Sequence, residues 1–137
     1  MIRIEHINIV VYNMEESLTF YQAAFPDWRI RDRGDGDWYG KPRQWLHFGD
    51  DFNYIAMNGP ATGKPRDLTT LDVGLMHIGF EVKDLAALTE RLQAAGYEIH
   101  SKGYPTEFRR NVYFVDPNGI EVEFTEYFSD QPSERNA

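Results

Sequence analysis

MHIGFEVKD, Met76 to Asp84, decides the reading of this chain. A histidine opens a short run of alternating apolar residues and an acid closes it, the pattern of a half-buried strand leading into a helix cap. IEHINIVVYN, Ile4 to Asn13, repeats that pattern near the start of the chain. His77 follows His6 by 71 residues (77 − 6), and Asp84 follows Asn13 by the same 71 (84 − 13). Gln22-Ala23-Ala24 and Gln93-Ala94-Ala95 end the helical stretches that follow, again 71 apart (93 − 22). Three landmarks in one register argue for two copies of one structural unit.

Working outward, the first copy predicts a strand over Ile4–Tyr12 and a helix capped by Asn13, with Glu15 and Glu16 in the favourable first turn. Leu18, Tyr21 and Phe25 follow at helical spacing, and Pro26 ends the segment. Strands are expected over 28–33, 44–48 and 52–57, with GDGDWYG (34–40) as a turn-rich loop and GDD (49–51) as a tight hairpin turn. Residues 59–74, rich in Gly, Pro and Thr, read as a linker. The order then restarts, with a strand over Leu75–Val82 and a helix capped by Asp84 that carries Leu85, Leu88 and Leu92 and stops at Gly96. Strands over Tyr97–His100, Asn111–Val115 and Ile120–Tyr127 complete the second copy, the last two joined by the turn DPNG. The polar residues 129–137 read as a flexible tail. The fold class is α+β: one domain over 1–128, built from two modules in tandem over about 2–58 and 75–128.

Composition sets bounds on function. A chain of 137 residues that is 42% hydrophobic and 15% aromatic can bury the core of one domain. A net charge of −8 repels a phosphate backbone, so no nucleic-acid partner is expected. With no cysteine, disulfides, thiolate-bound zinc and thiol nucleophiles are excluded. MIRIEHINIVVYN lacks a basic leader, and its apolar run is too short for a signal peptide or a membrane span, so a cytoplasmic protein with no membrane partner is expected.

Histidines at equivalent places of a duplicated unit are candidates to face each other. Glu121 and Glu123 share one face of the last strand, because side chains alternate with period two, and either can complete a set of two imidazoles and one carboxylate. Such a set, with open positions, suits Fe(II), Mn(II), Ni(II) or Zn(II). Taken singly, a histidine at a strand start is more often structural, and the two glutamates more often solvated.

The chain resembles the vicinal oxygen chelate superfamily, also called the glyoxalase / bleomycin resistance / extradiol dioxygenase family, over residues 2 to 128. The resemblance rests on EHINIVVYN with FYQAAF, on MHIGFEVKD with LTERLQAAG, and on VYFVDPNGIEVEF. It implies a pair of βαβββ modules whose sheets form an open cup flanked by helices, with a divalent metal held by His6, His77 and Glu123. The glyoxalase branch adds a glutamate on the last strand of the first module, where alignment puts Tyr54. That departure speaks against lactoylglutathione lyase activity. Tyr113 lies where extradiol dioxygenases and fosfomycin-modifying transferases resemble one another in carrying a substrate-side tyrosine. Asn53 stands where ring-cleaving members have a histidine, which speaks against ring cleavage.

A metal bound there would hold two neighbouring oxygens of a small-molecule substrate and stabilise the charge that develops. Tyr113 is the candidate donor to that oxygen, with packing under the DPNG turn as its structural alternative. His47, on a strand face with Trp45, is the candidate base, or else faces solvent. Arg109 and Arg110 are candidates to clamp an anionic group, or a solvated pair. Trp38 and Tyr39 either cover the cup or form a dimer contact. A homodimer is implied by the resemblance. The expectation is a metal-dependent enzyme of lyase, isomerase or dioxygenase type, and the alternative is a binding protein that sequesters a small molecule.

Overall fold

The computed structural model describes residues 1–136, and the chain divides into two compact units, Met1–Lys64 and a second beginning at Pro65. The division falls inside the expected linker.

The first unit runs β1 (His6–Val10), α1 (Met14–Ala24), β2 (Arg29–Trp38), β3 (Lys41–Gly49) and β4 (Tyr54–Gly59). Its sheet has the order β1-β4-β3-β2, with β1 parallel to β4 and the other pairs antiparallel. The Asn13 carboxamide caps α1 by accepting the Glu16 N–H at 3.0 Å. The helix stops at Phe25 because Pro26 has no N–H to continue it. On β3 and β4, Leu46, Phe48, Ile55 and Met57 are buried with Leu18, Phe20 and Tyr21 of α1. Each such side chain contributes roughly 1.5–3 kcal/mol by leaving water. The alternate positions, Trp45, His47, Tyr54 and Asn58, lie on the opposite, open face.

The loop expected over 34–40 is instead the end of a strand. β2 continues to Trp38, and the turn is Tyr39-Gly40 alone, with φ of 50° and 81°. Two successive positive φ values make the two-residue turn that matches strand twist. Gly34 serves packing: a Cβ there would lie 2.9 Å from the Trp45 indole. Between β3 and β4 a turn forms, but over the four residues 50–53 rather than the expected 49–51, because Gly49 still pairs with Tyr54. Asp50 accepts the backbone N–H of Phe52 (2.8 Å) and Asn53 (2.7 Å). These bonds, that from Asn53 foremost, hold its carboxyl below the usual range.

The second unit runs β5 (Ile78–Glu81), α2 (Leu85–Ala94), β6 (Arg109–Val115), β7 (Glu121–Tyr127) and α3 (Pro132–Arg135). Its sheet has the order β5-β7-β6, again with a parallel first pair. Asp84 caps α2 through the Ala87 N–H at 3.0 Å. At the other end Gly96 has φ 95°, and Tyr97 and Gly96 donate to the carbonyls of Leu92 and Gln93. That is the paired ending a glycine permits.

The strand expected over Tyr97–His100 does not form. The fourth place in this sheet is held by Ser101, which forms a single bridge to Tyr113. Beyond it the Asn111 amide replaces the ladder: its Oδ1 accepts the Tyr104 N–H at 3.0 Å, and it fills the space a side chain at Gly103 would need. The tail carries a helical turn, α3, where the sequence predicted none. Arg135 binds Glu81 at 2.6 Å and lies 3.9 Å over the Tyr127 ring. Ala137 lies outside the described residues. Among those, no helix is long and apolar enough to cross a membrane.

Candidate functional site

Strand register gives the two units a common frame. In the first, His6 pairs with Tyr54 and Asn8 with Ala56. In the second, Gly79 pairs with Glu123 and Ile78 with Val122. Gly79 stands 71 residues after Asn8 (79 − 8), so Ala56 holds the place of Glu123, and Tyr54 that of Glu121. The alignment of Tyr54 with the extra glutamate of the glyoxalase branch is thus corrected by two residues, and the residue at that place, Ala56, offers no side-chain donor atom. Across the antiparallel pairs, His47 faces Ala56 and Tyr113 faces Glu123. The two candidate catalytic residues therefore occupy one position of the repeated frame.

In the second unit the open face gathers His77, Glu121, Glu123, His100, Asn111 and Tyr113. His77 Nε2 lies 3.0 Å from Glu123 Oε2, and its Nδ1 lies 3.8 Å from Glu121 Oε1. The other oxygen of Glu123 accepts from Asn111 (2.8 Å) and from the Thr125 hydroxyl (3.1 Å), which fixes the carboxylate plane. Glu121 Oε2 is also 3.5 Å from His100 Nε2. Tyr113 stands edge-on to His77, with ring centroids 5.4 Å apart. Burial, and then the neighbouring Glu123 carboxylate, push its hydroxyl above the ordinary tyrosine value.

In the first unit the open face carries rings. His6 stacks on Tyr54 at 4.7 Å and 13°, with its Nδ1 3.1 Å from Glu5 Oε1. His47 lies 4.8 Å from Tyr54 and 5.2 Å from Trp45. The Arg31 guanidinium sits 4.5 Å over the Tyr54 ring. The Tyr54 hydroxyl is pushed up chiefly by desolvation, then by Glu5, and Arg31 opposes the shift. Asn53 is structural, since its amide donates to the Ile4 carbonyl at 2.7 Å and fastens the lead-in to β1.

Of the residues singled out in the sequence, His77, Glu123 and Tyr113 meet in the second unit, and His6 and His47 share one ring system in the first. Among the described residues, no group of three or more His, Cys, Asp or Glu side chains is arranged to hold a metal ion. Within the second unit the reason is visible, because the two glutamates approach opposite nitrogens of His77. Arg109 and Arg110 turn to the C-terminal segment instead, Arg109 donating to the Arg135 carbonyl at 3.1 Å and Arg110 lying 5.5 Å over Phe128. Trp38 and Tyr39 are exposed at the hairpin tip, edge to face with each other. The sequence reading missed Asn111, Thr125 and His100. Asn111 and Thr125 had a signal, the period of two that sets each on the face of Tyr113 and Glu123. His100 had none.

This fold and site define a class. The family model of the Glyoxalase/Bleomycin resistance protein/Dioxygenase superfamily matches residues 3–124, and the chain belongs to that superfamily. Among solved structures it is similar to a glyoxalase family protein from Bacillus cereus, with 17% identity and a TM-score of 0.76 over 94% of this chain and 96% of that one. A glyoxylase/bleomycin resistance protein/dioxygenase domain from Frankia sp. EAN1pec has 25% identity and a TM-score of 0.75 over 93% and 98%. A mutant of the fosfomycin resistance protein FosX from Listeria monocytogenes, complexed with Mn(II) and 1S,2S-dihydroxypropylphosphonic acid, has 21% identity and a TM-score of 0.72 over the whole of both chains.

Proposed function

We propose that this chain is a metal-dependent enzyme of the superfamily, in which His6, His77 and Glu123 hold one divalent ion (Fe, Mn, Ni or Zn) and the substrate is a small molecule with two neighbouring oxygens. The observation that carries this reading is the His77–Glu123 pair, with its donor atoms 3.0 Å apart and the carboxylate already oriented by Asn111 and Thr125. Two adjacent ligands of an octahedral ion with bonds of about 2.1 Å stand about 3 Å apart, so the donor pair fits such an ion. His6 contributes the third donor by its equivalent place, and its Nε2 has no hydrogen-bond partner among the described residues. The Mn(II) complex of the related FosX protein is consistent with a divalent ion.

A bound divalent ion supplies Lewis acidity at the substrate oxygens. The protein's own groups do the rest. Tyr113, kept protonated by burial and by Glu123, donates to the oxygen on which charge develops. His47, half-buried between Trp45 and Tyr54, takes up a proton from the substrate. A homodimer in the cytoplasm completes the proposal. The second reading, a non-catalytic protein that sequesters a small molecule, is favoured by the row of rings from His6 to Trp45, which offers stacking surface.

Metal analysis by mass spectrometry on untagged protein separates the two. Wild type is expected to carry close to one ion per chain, and His77→Ala and Glu123→Ala to lose it. Wild-type protein that stays empty when offered each of the four metals overturns the enzyme reading in favour of sequestration.

A further inference from the structure

The geometry points to Arg31 as the residue that recognises an anionic group, a carboxylate or similar oxyanion, on the ligand of the first unit's open face. Three arginines lie at alternate positions of β2. Arg29 is paired with Asp51, and Arg33 with Glu15 at 3.0 Å. Among the described residues Arg31 forms no salt bridge; the Asp50 carboxylate acts on it only through space, and its guanidinium lies against the Tyr54 ring. An unpaired guanidinium beside a ring keeps its fork of donors free for a planar oxyanion.

The strand is built to put it there. Ile30 pairs with Phe48 and Asp32 with His47, so Arg31 is the extra residue of a bulge. Phe48 is in the core, whereas His47 is on the open face, so the bulge marks the change of side. Bulges of this kind re-aim a side chain. Gly49, opposite both Arg29 and Tyr54, leaves the way from β2 to the Tyr54 ring clear. A side chain at Gly49 has no room, since its Cβ would lie 2.1 Å from the Asn53 carbonyl.

The repeated frame supplies a comparison within the molecule. Asp32 faces His47, and Ser101 faces Tyr113, so Arg31 holds the place of His100. His100 reaches Glu121, which holds the place of Tyr54. The same reach is made in both units: in the second it ends on an acid, and in the first on a neutral ring. The first unit has Glu5 beside His6 but no acid at the place that faces Arg31, and the ligand's anionic group is the one that would fill it. In a chain of net charge −8, such a cation also offsets the general repulsion of an anionic ligand.

This inference rests on the proposed function only in taking the open face as the ligand side. The probes are 3,4-dihydroxybenzoate and its neutral amide, 3,4-dihydroxybenzamide, titrated calorimetrically into wild type, Arg31→Met, Arg31→Gln and Arg31→Lys. Metal content is measured on the same samples. Wild type is expected to prefer the acid by about tenfold, as a charge-assisted bond to carboxylate contributes. Arg31→Met and Arg31→Gln are expected to lower that preference below about twofold with metal content unchanged, and Arg31→Lys to retain part of it. A wild-type preference below twofold, or one that survives in both neutral variants, overturns the assignment. Loss of metal in wild type with the preference intact would overturn the metal reading alone.

Discussion

The two units share a frame and differ in what they hang on it. Both run strand, capped helix and sheet with a parallel first pair, and both caps accept an N–H three residues on at 3.0 Å. In the second unit the frame carries acids and imidazoles in a row of polar contacts 2.8–3.8 Å long, His100–Glu121–His77–Glu123–Asn111. In the first the corresponding places hold Arg31, Tyr54, His6 and Ala56, and the row is made of stacked rings. The first unit also completes its sheet with the ten-residue β2, where the second has one bridge at Ser101. A backbone duplicated with its core intact leaves the open face free to diverge, because a buried face tolerates little change in volume and an open face a great deal.

The comparison can be tested first through the cores. Phe48 in the first unit and Phe114 in the second are fully buried, so Phe48→Ala and Phe114→Ala should each cost about 3–5 kcal/mol in urea unfolding. A much smaller loss in the second would show that its three-stranded sheet yields around the cavity. The caps come next. Asn13→Ala and Asp84→Ala should each cost about 1 kcal/mol and should match within a few tenths, while unequal losses would break the equivalence of the two helix starts.

The smallest effect lies in the tyrosines. Tyr54 and Tyr113 are both pushed above the ordinary value of 10.0. A folded-state value above the unfolded one favours the neutral phenol. Stability from these groups is therefore complete below pH about 10 and is lost as pH rises through the folded value. Absorbance titration should show Glu123→Gln bringing Tyr113 down while leaving Tyr54 unmoved, with Tyr113→Phe and Tyr54→Phe assigning the signals. An equal fall in both would show that the second unit's row is not what separates them.

Much of the frame was legible from residues alone. Cap side chains and helical spacing act over a few positions, so Asn13, Asp84 and Gly96 could be read directly. The β2 strand was misread because GDGDW looks like a loop by composition. What keeps it extended is the Trp45 ring packed over Gly34, a contact eleven residues away in sequence (45 − 34). The strand over Tyr97–His100 was misread because this segment meets β6 only at Tyr113, through His100 and Ser101, a contact set by tertiary pairing rather than by local pattern.

For the site, the sequence by itself determined the duplication, the two histidines at its matched places and the acids at period two on the last strand, since all of these follow from order and spacing along one chain. Only the tertiary structure decided which glutamate faces which nitrogen of His77, that Ala56 rather than Tyr54 holds the place equivalent to Glu123, and that Arg31 crosses to the open face. Those outcomes depend on strand register and on one bulge, and a shift of a single residue in either turns a side chain to the other side of the sheet.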